Sequence, residues 1–479
     1  MWPNMLKSLG KNLRLQQNCL QWKNHVDNVE SMHSANLDVQ WPNCNFCVEE
    51  SKRCECDHMD IEDTKSAEGG TNVDAELGFK GTGSFTHAVI NMVGMLIGLG
   101  QLSTPYALEH GGWASSFLLI GVGVMCTYSS HLLGKCLEKN PKIRSYMDIG
   151  GQAFGAKGKF LAATFIYMEI FMALVSYTIS LHDNLITVFL GTHLKLQLAK
   201  LSTSQLLTMI AVLIALPSLW VRDLSSISFL STGGILMSLV IFVSVISTAI
   251  FGGVHINHNI PLLQLHNIPS ISGLYIFSYG GHAVFPNLYK AMKDPSKFTK
   301  VSIMSFTLVT ALYTTIGLMG GKMFGPDVKS QVTLSMPPKQ IITKIALWAT
   351  VLTPMTKYAL GFAPFSIQLE HKLPSSMSSR TKMIIRGSVA SFLLLIILAL
   401  ALSVPYFEHV LSLTGSLVSV FICLIFPCAF YIKICWAQIS KSLLVLNMSI
   451  ITFGFLLGVI GTISSSKLLV KIFQPPQSA

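Results

Sequence analysis

The sequence predicts an all-α integral membrane protein of eleven transmembrane helices, built as two oppositely oriented five-helix units followed by one extra helix. Three observations carry this. Of 479 residues, 51% are hydrophobic and only 12% charged, about half the ~25% charged fraction usual in soluble domains. Eleven apolar runs follow one another between residues 85 and 463, long enough to cross a bilayer. The first and sixth of them are interrupted near their centres by glycine and proline.

Residues 1–84 are polar, mixed in charge and without sustained periodicity, and read as a disordered tail. Five of the ten cysteines fall there. Cys44, Cys47, Cys54, Cys56 and His58 could hold a zinc ion on the reducing side of a membrane, but the second half of the group is tighter than usual zinc spacing. No metal or cofactor is therefore assigned. The other cysteines (Cys126, Cys136, Cys423, Cys428, Cys435) lie in or beside apolar runs and read as small packing residues.

The first run, 85–113, reads FTHAVINMVGMLIGLGQLSTPYALEHGGW. Pro105 has no N–H, and Gly94, Gly98 and Gly100 lower the cost of leaving helical geometry, so a break is expected between Gly98 and Ser103. Unwound backbone survives in a bilayer only where it faces protein or a water-filled cavity, which makes such a break a candidate ligand site. Runs 115–137, 161–190, 201–221 and 227–251 complete the first unit, and the third of these five carries Glu169, Tyr177, His182 and Asp183.

The second unit, 268–432, opens on IPSISGLYIFSYGGHAVFPNLYK, with Gly280, Gly281 and His282 at its middle and Pro286 a turn later. Runs 301–324, 341–362, 384–404 and 410–432 follow, then the extra helix 443–463 and a short tail, 464–479. A broken helix at the head of each half is the sequence sign of an inverted-repeat transporter with its site at the midplane. Lys and Arg are concentrated in the tail and in the loops on its side of the membrane, placing the N-terminus in the cytosol. The formal charge of +11 is read as this topology and not as a nucleic-acid surface.

Gly98 to Trp113 (GLGQLSTPYALEHGGW) and Tyr279 to Pro295 (YGGHAVFPNLYKAMKDP) resemble the matching stretches of the amino acid/auxin permease family, and most closely its plant vacuolar amino acid transporters. The resemblance covers residues 84–463. It implies the leucine-transporter-type fold of five plus five helices, proton-linked movement of amino acids by alternating access, and a vacuolar membrane. Sodium-coupled relatives place an asparagine one turn before the first Gly-x-Gly. This chain has Gly94 there, with Asn91 a turn too early, which favours protons.

A zwitterionic amino acid needs donors for its carboxylate and acceptors for its ammonium. Half-helix N-termini supply the first, so the candidates are Gly98, Gly100, Gln101, Leu102, Ser103 and Thr104. Carbonyls freed by the second break, around Phe277, Ser278, Tyr279 and Gly280, are candidate acceptors, and Tyr177 and Tyr279 candidate wall residues. Intramembrane ionisable groups are functional candidates by default, which selects Glu169 and His282 for proton coupling. Lys357 is read as snorkelling to the cytosolic interface. His255, His258 and His266 mark a loop, 252–266, on the other side, and Asn447-Met-Ser449 sits inside a run where no glycan can reach it.

An enzyme is disfavoured, since no nucleophile motif, carboxylate pair or intramembrane histidine cluster is present. The alternative is an amino-acid sensor that uses the same pocket and signals through the N-terminal tail. The partners expected are an amino acid, protons and lipid, with no nucleic acid.

Overall fold

Ser84 opens the first helix: its side chain accepts from the His87 backbone N–H and caps α1 (Phe85–Leu96). The computed structural model describes residues 81–189, 202–216, 224–252, 254, 258–374 and 377–473; the cysteines and His58 of the tail, and His255 of the later loop, lie outside them. α1 ends at Ile97, and α2 (Leu99–Gly111) sets off at 58° to it. The break therefore falls at Ile97–Gly98, the upstream edge of the expected stretch, and Pro105 lies inside α2. The helix tolerates that proline by forgoing the one bond the Gln101 carbonyl would accept.

α3 (Ser115–Lys139) leads to α4 (Tyr146–Val188), which starts on a capping box of Ser145 and Asp148. α4 bends at Phe154–Gly155, where Gly155 takes a positive φ of 65°. Across that bend Gly150 and Gly158 meet backbone to backbone, so the expected run 161–190 is the longer arm of a bent rod. α5 (Thr203–Ala215), α6 (Leu224–Phe251), α7 (Ile268–Ser278) and α8 (Phe285–Ala291) follow. Then come α9 (Phe298–Phe324), the short α10 (Val332–Ser335), α11 (Ile341–Lys372) and α12 (Ser379–Ser403). α13 (Phe407–Thr414) and α14 (Phe426–Ile434) are joined through two π-wound turns, Gly415–Ser419 and Phe421–Ile425, and α15 (Lys441–Phe473) closes the chain, continuing past residue 463.

Among the described residues seven helical stretches are long and apolar enough to cross a bilayer, the run from α13 through α14 counting as one, and the bent pair α1 and α2 makes an eighth if taken as one span. The remaining expected runs fall on α5, on the interrupted pair α7 and α8, and on α11. Among the described residues the only β pairing is an isolated bridge between Gly83 and Met292.

That bridge marks one end of the bundle. Gly83 N donates to Ala291 O (2.9 Å) and Lys293 N to Gly83 O (2.8 Å), while Lys139 Nζ donates to Ile434 O (2.8 Å). We call this the near end. At the far end Trp113 N donates to Pro261 O, Asn267 Nδ2 to His110 O and His258 N to Lys322 O. Thus α1–α2 runs from near to far and α7–α8 from far to near. The two interrupted rods are antiparallel neighbours. α2 packs against α7 and α9, and α4 against α11, α12 and α13. Cys126, Cys136, Cys423, Cys428 and Cys435 are buried free thiols, and the Asn447 side chain is bonded to Leu443 O and Tyr128 within the helices.

Candidate functional site

At the first break, α1 leaves its last carbonyls without helical partners. Tyr313 of α9 reaches them: its hydroxyl lies 2.8 Å from Leu96 O. The same hydroxyl lies 3.1 Å from Ser278 O, the last residue of α7. One phenol thus bridges the two interruptions, donating its single proton between two freed carbonyls. The rods touch directly here. A Cβ on Gly100 would sit 2.6 Å from Ser278 Cβ and Oγ, and one on Gly281 would sit 3.2 Å from Leu96 Cδ2.

The second break is capped more tightly than the first. Tyr279 N donates to Ile276 O (3.2 Å) and Gly280 N to Phe277 O (2.9 Å), so Phe277 keeps little acceptor capacity. A 3₁₀ turn, His282–Val284, then leads into α8. Tyr279 is fully buried and turned toward α3 and α9: its hydroxyl bonds Thr310 (2.8 Å) and its ring packs edge-on to Tyr313. A Cβ on Gly123 of α3 would lie 2.9 Å from that hydroxyl.

A cavity opens on the other side of the first break. Its empty volume is about 230 Å³ including its open mouth, and its walls are Gly98, Leu99, Gln101 and Leu102, with Ser180 of α4, Ser238 and Ile241 of α6, and Thr350, Thr353 and Pro354 of α11. No ionised side chain lines it. Gln101 donates through Nε2 to Ser238 O (3.3 Å), while its Oε1 is buried without a hydrogen-bond partner. Pro354 removes the helical bond that the Thr350 carbonyl would otherwise accept. The cavity therefore holds acceptor capacity that the protein itself does not use.

The candidate residues separate onto three faces. Gly98, Gln101 and Leu102 line the cavity. Gly100 and Ser278 meet where the rods cross. Ser103 and Thr104 both donate to the Gly100 carbonyl (3.3 and 2.6 Å), and Thr104 Cγ2 points at Gly317 of α9, so these hydroxyls are engaged within and behind α2. Tyr177 comes close to the break: a Cβ on Gly98 would lie 3.0 Å from its hydroxyl.

The ionisable candidates flank the second break. A Cβ on Gly280 would lie 3.4 Å from Glu169 Oε1, and that oxygen accepts from Ser419 Oγ (2.7 Å) in the first π-wound turn. His282 is fully buried; its Nε2 pairs with Ser129 Oγ (2.9 Å) and Cys126 O (3.1 Å) of α3, and its Nδ1 has no partner. Lys357 lies against Gly234 of α6, whose Cβ would be 3.4 Å from Lys357 Cε. That places the lysine one turn beyond Thr353 toward the near end.

A family model described as transmembrane amino acid transporter protein matches residues 81–467. The chain belongs to that family. Within the transmembrane amino acid transporter family it is 60% identical over 431 residues to amino acid transporter AVT1H of Arabidopsis thaliana, covering 89% of this chain and 98% of that one. It is 37% identical over 387 residues to amino acid transporter AVT1E of the same plant, covering 81% and 74%. The amino acid/auxin permease resemblance of the two motifs is thereby established, and the relatives are named as transporters, not as enzymes. Among solved structures, a substrate-bound, outward-open Na⁺-coupled sialic acid symporter matches at 13% identity and a TM-score of 0.48, over 83% of this chain and 92% of that one.

Reasoning from the sequence missed Tyr313, Ser419, Ser238, Thr350 and Thr353. Only Thr350 carried a signal. Thr350 stands four residues before Pro354 in an apolar run, the position whose carbonyl a helical proline frees.

Proposed function

We propose that this member of the family is a secondary active transporter that moves neutral amino acids across the vacuolar membrane by alternating access, coupled to protons, with its N-terminus in the cytosol. The observation that carries the reading is the crossing of two interrupted, antiparallel rods, with Gly100 against Ser278 and Tyr313 bonded at both breaks. Counting each interrupted rod as one span, and adding α5 and α11, gives eleven spans. Their order makes two five-helix units of opposite orientation, each headed by a broken rod.

The substrate's carboxylate is assigned to the N-terminal turn of α2, where the backbone N–H groups of Leu99 and Gly100 lack helical partners, Gln101 N being bonded to Gly98 O. Its ammonium is assigned to Gln101 Oε1 and the freed Thr350 carbonyl. Hydroxyl and aliphatic walls with no ionised side chain suit a neutral amino acid. Glu169 and His282, on the second break, are assigned the protons. The vacuolar location follows from the family likeness.

The test is pH-jump-driven uptake of a panel of radiolabelled amino acids into proteoliposomes, with Gly100→Val alongside. Saturable uptake of neutral amino acids is expected in the parent. The valine, whose first atom would already overlap Ser278, should lower uptake more than about tenfold at unchanged membrane abundance, equivalent to ~1.4 kcal/mol or more. Normal flux in the valine variant removes the crossing from the mechanism. Absence of flux with every amino acid, together with signalling lost on deletion of residues 1–80, would favour the sensor instead.

A further inference from the structure

The loop between α9 and α11 turns back into the bundle at the far end, beginning with a 3₁₀ turn, Gly325–Asp327, and ending in α10. Gln331, between them, is fully buried, and its side-chain bonds all go to α4. Nε2 donates to Asp183 Oδ2 (2.9 Å), and Oε1 accepts from Ser180 Oγ (2.6 Å) and Asn184 Nδ2 (2.8 Å). Thr333 Oγ1 donates to Asn184 Oδ1 (3.0 Å). Ser180 is also a wall of the cavity beside the first break.

The direction of each bond is forced. Asn184 Nδ2 also donates to Ser180 O (2.7 Å), a backbone carbonyl that can only accept. That fixes which end of the Asn184 amide carries the hydrogens, and the hydrogen it sends to Gln331 requires an oxygen there. Gln331 therefore presents Oε1 to Ser180 as well, and the Ser180 hydroxyl must donate its single proton to it. The Ser180 oxygen is left with lone pairs that no donor among the described residues meets. Toward the cavity it is an acceptor and nothing else. Thr350 and Thr353 differ: their hydroxyls bond only to carbonyls one turn back on α11, Ala346 O (2.9 Å) and Ala349 O (2.8 Å), and stay free to rotate and donate.

Two acceptors on the cavity's walls are already assigned to the substrate's ammonium, Gln101 Oε1 and the freed Thr350 carbonyl. A primary ammonium carries three hydrogens, so one remains. We propose that Ser180 Oγ is the third acceptor for that ammonium, and that Gln331, by taking the Ser180 proton, is the positioning residue that keeps it an acceptor. The site then selects primary amines: an N-methyl group removes one hydrogen and leaves one of three buried acceptors unpaired. This rests on the placement of the ammonium in the transport reading above.

The test measures binding and flux separately. Purified full-length protein is titrated with radiolabelled alanine, valine, leucine and glutamine, each competed by its unlabelled N-methyl derivative, and the same four are followed into proteoliposomes. The parent should bind a primary amine about tenfold or more tighter than its N-methyl form, as one hydrogen bond from a charged group gives. Ser180→Ala should bring the two affinities together by weakening the primary amine, at an unchanged number of sites. Gln331→Met should weaken the primary amine when Ser180 is present and add nothing to Ser180→Ala, whereas a purely structural glutamine would weaken binding equally in both. Should Gln331→Met fail to accumulate, Ser180→Ala decides alone. A Ser180→Ala protein that discriminates as the parent does, equal losses from Gln331→Met in both backgrounds, or no binding of any of the four overturns the proposal. Flux with unaltered discrimination in Ser180→Ala discards the third acceptor and keeps transport; discrimination lost as stated, without flux in the parent, discards transport and keeps the acceptor.

Discussion

Tyr313 closes two gaps with one hydroxyl. Leu96 O and Ser278 O each lie at the end of a helix that stops in the middle of the protein, where water is scarce and an unmet carbonyl costs ~1–3 kcal/mol. Phenylalanine in its place keeps the ring packed edge-on to Tyr279 and removes only the shared proton. Tyr313→Phe should therefore lower thermal stability in detergent by the equivalent of ~1–3 kcal/mol and loosen the crossing of the rods. The check is a melting curve beside the parent; an unshifted transition would show that something other than Tyr313 satisfies the freed carbonyls. Nothing in the sequence singles this tyrosine out. It stands in an apolar run as Tyr177 and Tyr279 do, and the bond that distinguishes it spans more than two hundred residues. Gln331, whose side chain bonds Ser180, Asp183 and Asn184 of α4, is hidden for the same reason: in the sequence it is one polar residue in a polar loop.

Among the elements, the interrupted rods were legible because their cause is local: glycine and proline act on the residue's own backbone. Even so, the first break lies at the upstream edge of the stretch that the glycines and Pro105 suggested, since one missing bond inside a helix is tolerated once the chain has turned at Gly98. The π-wound segment between α13 and α14 was not legible. Its sequence, 415–425, reads as an ordinary apolar run, and its widened turns show themselves only in packing. There Gly415 and Gly273 of α7 meet backbone to backbone, and a Cβ on Gly273 would overlap the Ser412 carbonyl. The contact holds α7, and with it the second break, against the turn that carries Ser419 and its bond to Glu169. π turns of this kind frequently mark functional sites. Gly273→Ala should therefore displace α7 from α13 and lower both stability and uptake, whereas Gly121→Ala, at an open position on α3, should change neither. Melting and flux measured on the two variants together distinguish a local contact from a general intolerance of added bulk.

Taken as a whole, the molecule places two carboxyl residues at different depths along one helix. Glu169 and Asp183 are fourteen residues apart on α4, about 21 Å at 1.5 Å per residue. The first lies against the second break, and the second accepts from Gln331 Nε2 of the loop between α9 and α11 (2.9 Å). Sequence reasoning could find both because charge in an apolar run is conspicuous, but it could not assign them different tasks, which depend on Ser419 and Gln331. If Glu169 must gain and lose a proton for the rods to exchange orientation, glutamine mimics the protonated state and can keep the acceptor oxygen toward Ser419. Glu169→Gln should then abolish accumulation driven by a pH gradient while leaving exchange of labelled for unlabelled amino acid intact and insensitive to pH. Measuring gradient-driven uptake and exchange on one preparation decides the matter: an unchanged uptake profile frees Glu169 from coupling.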